Sequence, residues 1–290
     1  MSTLPHWLIK RTPKSENIKL IRGLIGDKVN TVCESAKCPN IGECYSNRTV
    51  TFMILGNICT RGCRFCAVDG GIPTPPDPME PRNVAEASRK LGLKYIVVTS
   101  VTRDDLPDGG ASYFAKTIIE LKRSSPETKV EVLIPDFKGK EEHLKTVIDA
   151  KPDVLNHNIE MVPRLYGQIR PKSNYYTSIN LLKMAKNIDS NTVTKSGFMV
   201  GIGEKEDEIF GLMKELRSAD CDILTIGQYI ASSQDKAKVV EYLHPDKFDQ
   251  YRELALKIGF KKVHSGPFVR SSYIAEQFAE GSLGIPQIAR

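Results

Sequence analysis

The chain has 290 residues, 40% of them hydrophobic and 26% charged, with seven cysteines and a formal net charge of +6. That is core enough for one large domain, while no apolar run approaches the roughly 18 residues of a membrane span and the odd cysteine count argues against a disulfide-stapled secreted fold. The first residues, MSTLPHWLIKRTPK, are basic but carry no apolar h-region, so the cytoplasm is the expected location, and the positive charge favours an acidic partner without naming one.

Six of the seven cysteines fall early, in two triplets. Residues 1–49 read as an extension that carries the first, Cys33, Cys38 and Cys44, spaced C-x4-C-x5-C; the second, Cys59, Cys63 and Cys66, is spaced C-x3-C-x2-C. Two such clusters imply two metal centres, each one ligand short of a four-thiolate iron–sulfur site. Structural zinc is the rival, but it closes its shell with four cysteines or with histidines, and no histidine lies between 33 and 66.

From residue 50, β-branched runs alternate with amphipathic stretches, the pattern of β/α units on a parallel sheet. Expected strands are VTFMIL (50–55), KYIVVTS (94–100), KVEVLIP (129–135), DVLNHNI (153–159), VTKSGFMVG (193–201) and DILTIGQ (222–228), with KKVHSG (261–266) as a seventh candidate. Apolar period places helices at 83–91, 112–122, 140–150, 177–186, 206–217 and 246–258. A full eight-unit barrel takes about 250 residues, so an α/β partial (β/α)6 TIM-like barrel over 50–265 fits better, followed by an extension, 266–290; an open doubly wound sheet is the alternative. In either, functional groups gather where strands end.

With C-x3-C-x2-C just past the first strand, CTRGCRFC resembles the radical S-adenosylmethionine (SAM) superfamily. The resemblance implies a 4Fe-4S cluster on Cys59, Cys63 and Cys66 whose open iron binds SAM, and whose reduction yields a 5'-deoxyadenosyl radical. Together CESAKCPNIGEC, DDLPDGGA (104–111), VLNHNIE (154–160), VTKSGFMVGIGE (193–204), LTIGQY (224–229) and GPFVRSSY (266–273) resemble the lipoyl synthase family over nearly the whole chain. That likeness implies a second, auxiliary 4Fe-4S cluster on Cys33, Cys38 and Cys44, with a serine oxygen of RSSY, Ser272 in preference to Ser271, as its fourth ligand. It implies sulfur insertion at carbons 6 and 8 of an octanoyl-lysine, with the auxiliary cluster consumed as the sulfur source. The implied partners are an octanoylated lipoyl-carrier domain or glycine-cleavage H protein, a reductant such as ferredoxin or flavodoxin, and an iron–sulfur cluster carrier, with neither membrane nor nucleic acid among them.

The resemblance also nominates SAM contacts: Phe65 near the adenine, Gly109 and Gly110 at the methionine moiety, and Asn158, Lys195, Glu204 and Gln228 at strand ends. Each has a plainer reading, as a core aromatic, a loop turn, or a group satisfying buried backbone. The run Arg103, Asp104, Asp105 is a candidate lining of the site whose more ordinary reading is solvated charge, and Cys221, outside both triplets, reads as a small apolar residue. Two other functions compete. A radical SAM methylthiotransferase acting on tRNA also carries two three-cysteine clusters but needs an added RNA-binding module; an iron–sulfur redox protein needs no open iron.

Overall fold

The computed structural model describes residues 4–10, 15–273 and 275. One eight-stranded sheet dominates it, its strands adjacent in chain order: β1 (Asn30–Thr31), β2 (Thr51–Ile54), β3 (Tyr95–Ser100), β4 (Lys129–Leu133), β5 (Val154–Asn156), β6 (Thr194–Val200), β7 (Ile223–Gln228) and β8 (Lys262–Gly266). β1 is antiparallel to β2; β2 through β8 are all parallel. A doubly wound sheet reverses strand order at a switch point. No reversal occurs here, and among the described residues β1 and β8 do not pair, so the sheet is an incompletely closed barrel and the doubly wound alternative falls.

Around it run α1 (Ser15–Ile25), α2 (Val32–Ser35), α3 (Ile41–Ser46), α4 (Glu80–Leu91), α5 (Ala111–Ser124), α6 (Glu141–Asp149), α7 (Pro163–Ile169), α8 (Tyr175–Ile188), α9 (Glu206–Ser218) and α10 (Pro245–Ile258). The six expected helices are α4, α5, α6, α8, α9 and α10, and the tentative seventh strand is β8. α1 and α7 are additions to the sequence reading, though both carry signals: Ile18, Ile21 and Ile25 fall at helical spacing, and Pro163 opens α7. Two apolar clusters fill the space between sheet and helices. One joins α1 and the cysteine-bearing segment to β2 through β5, and the other packs α7, α9 and α10 on β6 and β7.

The run 153–159 keeps sheet pairing only as far as Asn156. Beyond it the Ile159 N–H turns to the Ser196 hydroxyl (3.2 Å), and Glu160 rejoins at an isolated bridge to Phe198 with φ 70°. This excursion places Asn158 outside the regular ladder at the carboxyl end of the sheet. The helix-like YIAEQFAE reading, and with it most of 266–290, lies outside the described residues.

Candidate functional site

The loop of Cys59, Cys63 and Cys66 begins on strained backbone. Leu55 and Gly56 both take left-handed φ, 69° and 84°, which glycine adopts freely and leucine only when surroundings hold it. Glu80 does the holding: its carboxylate accepts the Leu55 and Gly56 N–H groups at 2.7 and 3.3 Å, and Arg103 donates to the Leu55 carbonyl at 3.2 Å. Gly110, φ 92°, closes on the same point, since a Cβ there would collide with Leu55; Gly109, φ 61°, lies against Phe137. Both glycines thus serve the turn into α5.

Arg61 fixes the next part of the loop. It is 6% exposed and forks in two directions. Nε and Nη2 donate to Asp104 at 2.7 and 2.9 Å, Nη1 and Nη2 donate to Asp136 at 2.6 and 2.8 Å, and Nη1 also reaches Ser173 at 3.1 Å. The loops after β3 and β4 are thereby tied to the cysteine loop. Burial pushes the Asp136 carboxyl up, but the hydrogen bonds and charge of Arg61 outweigh it and hold the group at about 2. The Arg103-Asp104-Asp105 run is therefore not a solvated stripe: Arg103 is 1% exposed and clasps Asp105, while Asp104 takes Arg61. Arg61 escaped the sequence reading because its partners lie 43 and 75 residues away.

At the other end of the loop the C-terminus of α7 closes on it, the Arg64 N–H donating to the Ile169 carbonyl at 2.8 Å, and the next residue, Arg170, is buried beside Tyr166 with its charge acting on Cys63. Burial raises the Glu160 carboxyl above the ordinary range, with the charge of Arg170 opposing. Asn158 Oδ1 accepts the Ser271 hydroxyl at 2.8 Å. Burial pushes the Cys66 thiol up to about 11 and raises that of Cys63, against which Arg170 acts.

The first triplet is gathered by α2 and α3. Cys33 caps the Cys38 N–H through its carbonyl at 3.0 Å, and the Cys44 N–H reaches the Asn40 carbonyl at 2.9 Å. Burial, with neighbouring cysteines adding, pushes Cys33 up to about 11 and Cys44 to about 12. The RSSY turn lies against this triplet: Arg270 and Tyr273 both feel Cys38, and Tyr273 also Cys44. Asn40 Nδ2 donates to the Phe268 carbonyl at 2.7 Å, and the Tyr273 hydroxyl to Glu43 at 2.6 Å. Gly227 on β7 makes room, since a Cβ would strike the Val269 carbonyl. Ser271 is engaged by Asn158, whereas among the described residues the Ser272 hydroxyl has no hydrogen-bond partner.

The other expected contacts are engaged by protein groups. Lys195, second residue of β6, is buried in an ion pair with Glu131 at 2.9 Å, which also accepts from Tyr95 and Asn156; it belongs to the barrel interior rather than to a strand end. Gln228 is spent on backbone, donating to the Val200, Tyr229 and Glu241 carbonyls and accepting from the Leu243 N–H. Glu204 accepts the Gly201 and Ile202 N–H groups, and Phe65 packs on the core beside β6 and β7. Cys221 is fully buried, as expected of a small apolar residue.

All seven cysteines are free thiols. Among the described residues no three His, Cys, Asp or Glu side chains converge on the position of a single metal ion. A cubane takes one thiolate per iron, so its ligands stand at separate corners, and two sets of three soft donors fit it. Buried polar atoms without protein partners among the described residues also occur at or just past the strand ends, Ser100 Oγ, Asn156 Oδ1 and His157 Nε2, and at the end of α7, Arg170 Nε. Such atoms normally have partners, and a polar cofactor is suited to supply them.

A profile of the Radical SAM superfamily matches residues 53–216. Similar in sequence are the lipoyl synthase of Caldanaerobacter subterraneus subsp. tengcongensis, 58% identical over 94% of this chain and 95% of its own length, and that of Caldicellulosiruptor saccharolyticus, 51% identical over 94% and 96%. The crystal structure of methylornithine synthase (PylB) matches with a TM-score of 0.54 at 13% identity, over 73% of this chain and 70% of that one, a likeness of fold. With the cysteine loop at the strand ends and the match to its relatives running nearly end to end, the chain belongs to the lipoyl synthase family, sulfur-transferring enzymes of the radical SAM superfamily.

Proposed function

We propose that this enzyme inserts two sulfur atoms, at carbons 6 and 8 of an octanoyl group carried on a lysine of a partner protein, to give the lipoyl cofactor. Cys59, Cys63 and Cys66 would hold the 4Fe-4S cluster to which SAM binds; Cys33, Cys38, Cys44 and Ser272 would hold the auxiliary one. When bound, the first cluster with SAM supplies the hydrogen-abstracting power that unactivated C–H bonds demand, and the second supplies sulfide. The chain's own part is placement. Arg61 and Arg170 pin the two ends of the SAM-cluster loop, and Asn158 ties the RSSY turn to the barrel mouth so that the two cysteine sites open on one space. Ser271 is occupied by Asn158, which leaves Ser272 for the auxiliary site; as a hard oxygen among soft thiolates it makes the readily displaced corner.

The observation that carries this reading is that two residues on either side of the RSSY serines, Phe268 and Tyr273, are hydrogen-bonded to Asn40 and Glu43 within the first cysteine segment, drawn there from the far end of the chain. The carrier partner is an octanoylated lipoyl domain or glycine-cleavage H protein, with ferredoxin or flavodoxin as reductant, a cluster carrier for resupply, and the cytoplasm as setting; no described helix is long and apolar enough to cross a membrane. The test is anaerobic turnover of reconstituted protein with SAM, reductant and octanoyl-lysine peptide, following 5'-deoxyadenosine and thiolated peptide by mass spectrometry. Both products are expected from the native chain. With Cys33, Cys38 and Cys44 all changed to Ala, deoxyadenosine persists and thiolation disappears; loss of both in a folded variant refutes the division of labour.

A further inference from the structure

We infer that Lys10 is a positioning residue for the auxiliary site, the tie that holds the RSSY turn over Cys33, Cys38 and Cys44. The inference rests on the proposed role of that triplet. Lys10 Nζ donates to Asn40 Oδ1 and to Glu43 Oε2, each at 2.7 Å, and so grips the helix that carries Cys44 and the residue before it. The same ammonium stands 4.4 Å from the Phe268 ring centroid and 5.4 Å from that of Tyr273, on either side of Ser271 and Ser272. One charge therefore touches both halves of the site, contributed from three separate stretches of sequence.

Its partners complete the frame. Asn40 is 1% exposed, accepts Lys10 with its oxygen and donates with its nitrogen to the Phe268 carbonyl. Glu43 accepts Lys10 on one oxygen and the Tyr273 hydroxyl on the other. Each bridge from the cysteine segment to the turn passes through a residue that Lys10 orients. The Lys10 side chain is 24% exposed, so its cation–π and hydrogen-bond contacts are only partly screened. The arm that carries it is anchored independently, by Trp7 Nε1 donating to the Leu243 carbonyl at 3.1 Å and by the edge contact of Trp7 with His244. Loss of the ammonium thus frees the turn without freeing the arm.

The test uses a background in which Cys59, Cys63 and Cys66 are Ala, so that only the auxiliary site can load. This parent should hold about four irons, as one cubane requires; if it holds none, the reading of the triplet fails and Lys10 is not the cause. Within a parent that loads, Lys10→Met should release iron to a ferrous chelator roughly tenfold faster, the scale of one lost charge-assisted hydrogen bond, and Lys10→Arg should restore retention. Equal release rates overturn the proposal. Hydrogen exchange of the metal-free proteins gives the second readout. Lys10→Met should lose protection at the Val269 and Tyr273 amides, which bond within the turn, with the strands unchanged; loss throughout the barrel would make Lys10 a prop of the fold and overturn the positioning role.

Discussion

Arg61 and His157 are single buried groups on which the stability of the region around the loop of Cys59, Cys63 and Cys66 is expected to depend. The Arg61 and Asp136 side chains are 5% and 3% exposed, and removing one partner of such a pair strands the other's charge. Arg61→Leu is expected to destabilise the metal-free protein by about 3–5 kcal/mol in denaturant unfolding, and to lower SAM cleavage with it; an unchanged unfolding midpoint would show that the clamp carries no energy. His157 works through protons. Its Nδ1–H is placed to donate to the Ile134 carbonyl at 2.9 Å, and burial pulls its pKa down to about 4. The unfolded chain takes up the proton near 6.5, so between about 6.5 and 4 the unfolded state binds a proton the native state refuses. The His157 contribution is complete above that window and drains away as pH falls through it, to a total of about 3 kcal/mol. His157→Gln should flatten this part of the stability profile; a slope identical to the parent's would place the acid sensitivity elsewhere.

Among the elements, β7 bears most directly on the site, because it is where the chain's last described turn sits down. At Gly227 a Cβ would strike the backbone carbonyl of Val269, which cannot swing aside as a side chain can. Gly227→Ala is therefore expected to shift RSSY away from the cysteines, abolishing thiolation while deoxyadenosine formation persists; a variant that thiolates normally would show that the turn tolerates displacement. Strands β2 through β8 and six of the helices were legible because each repeats a local period, whereas β1, two residues long, carries none. β5 was not fully so: DVLNHNI reads as one continuous strand, yet regular pairing ends at Asn156, for after the His157 N–H bonds the Lys195 carbonyl the Ser196 hydroxyl and Gly197 carbonyl on β6 take the N–H groups of Ile159 and Glu160 in a different register. The cysteines and the RSSY turn were legible as motifs, whereas Lys195 was misplaced and Arg61 overlooked. A motif names residue types, but the pairing of Lys195 with Glu131 and of Arg61 with Asp136 is decided by which strands become neighbours.

For the molecule as a whole, charge is the property that a carrier protein meets first. The net charge of +6 suits an acidic octanoylated domain, and steering of that kind weakens as salt shortens the Debye length from about 10 Å at 0.1 M to about 3 Å at 1 M. Carrier binding is expected to weaken across that range, measured by titration calorimetry; affinity independent of salt would leave docking to shape and apolar contact. The two cysteine sites differ in another respect, the distance along the chain over which each is closed. Arg61 reaches partners 43 and 75 residues away, but the contacts joining Asn40 to Phe268 and Glu43 to Tyr273 span 228 and 230 residues. Contacts of high sequence separation form late, since chain entropy must be given up before they reward it. During synthesis the SAM-cluster loop has its clamps once residue 173 has emerged, while the auxiliary site stays unfinished until residue 273 follows. On the proposed assignment, the frame around the sulfur store is the last part of the two sites to be completed.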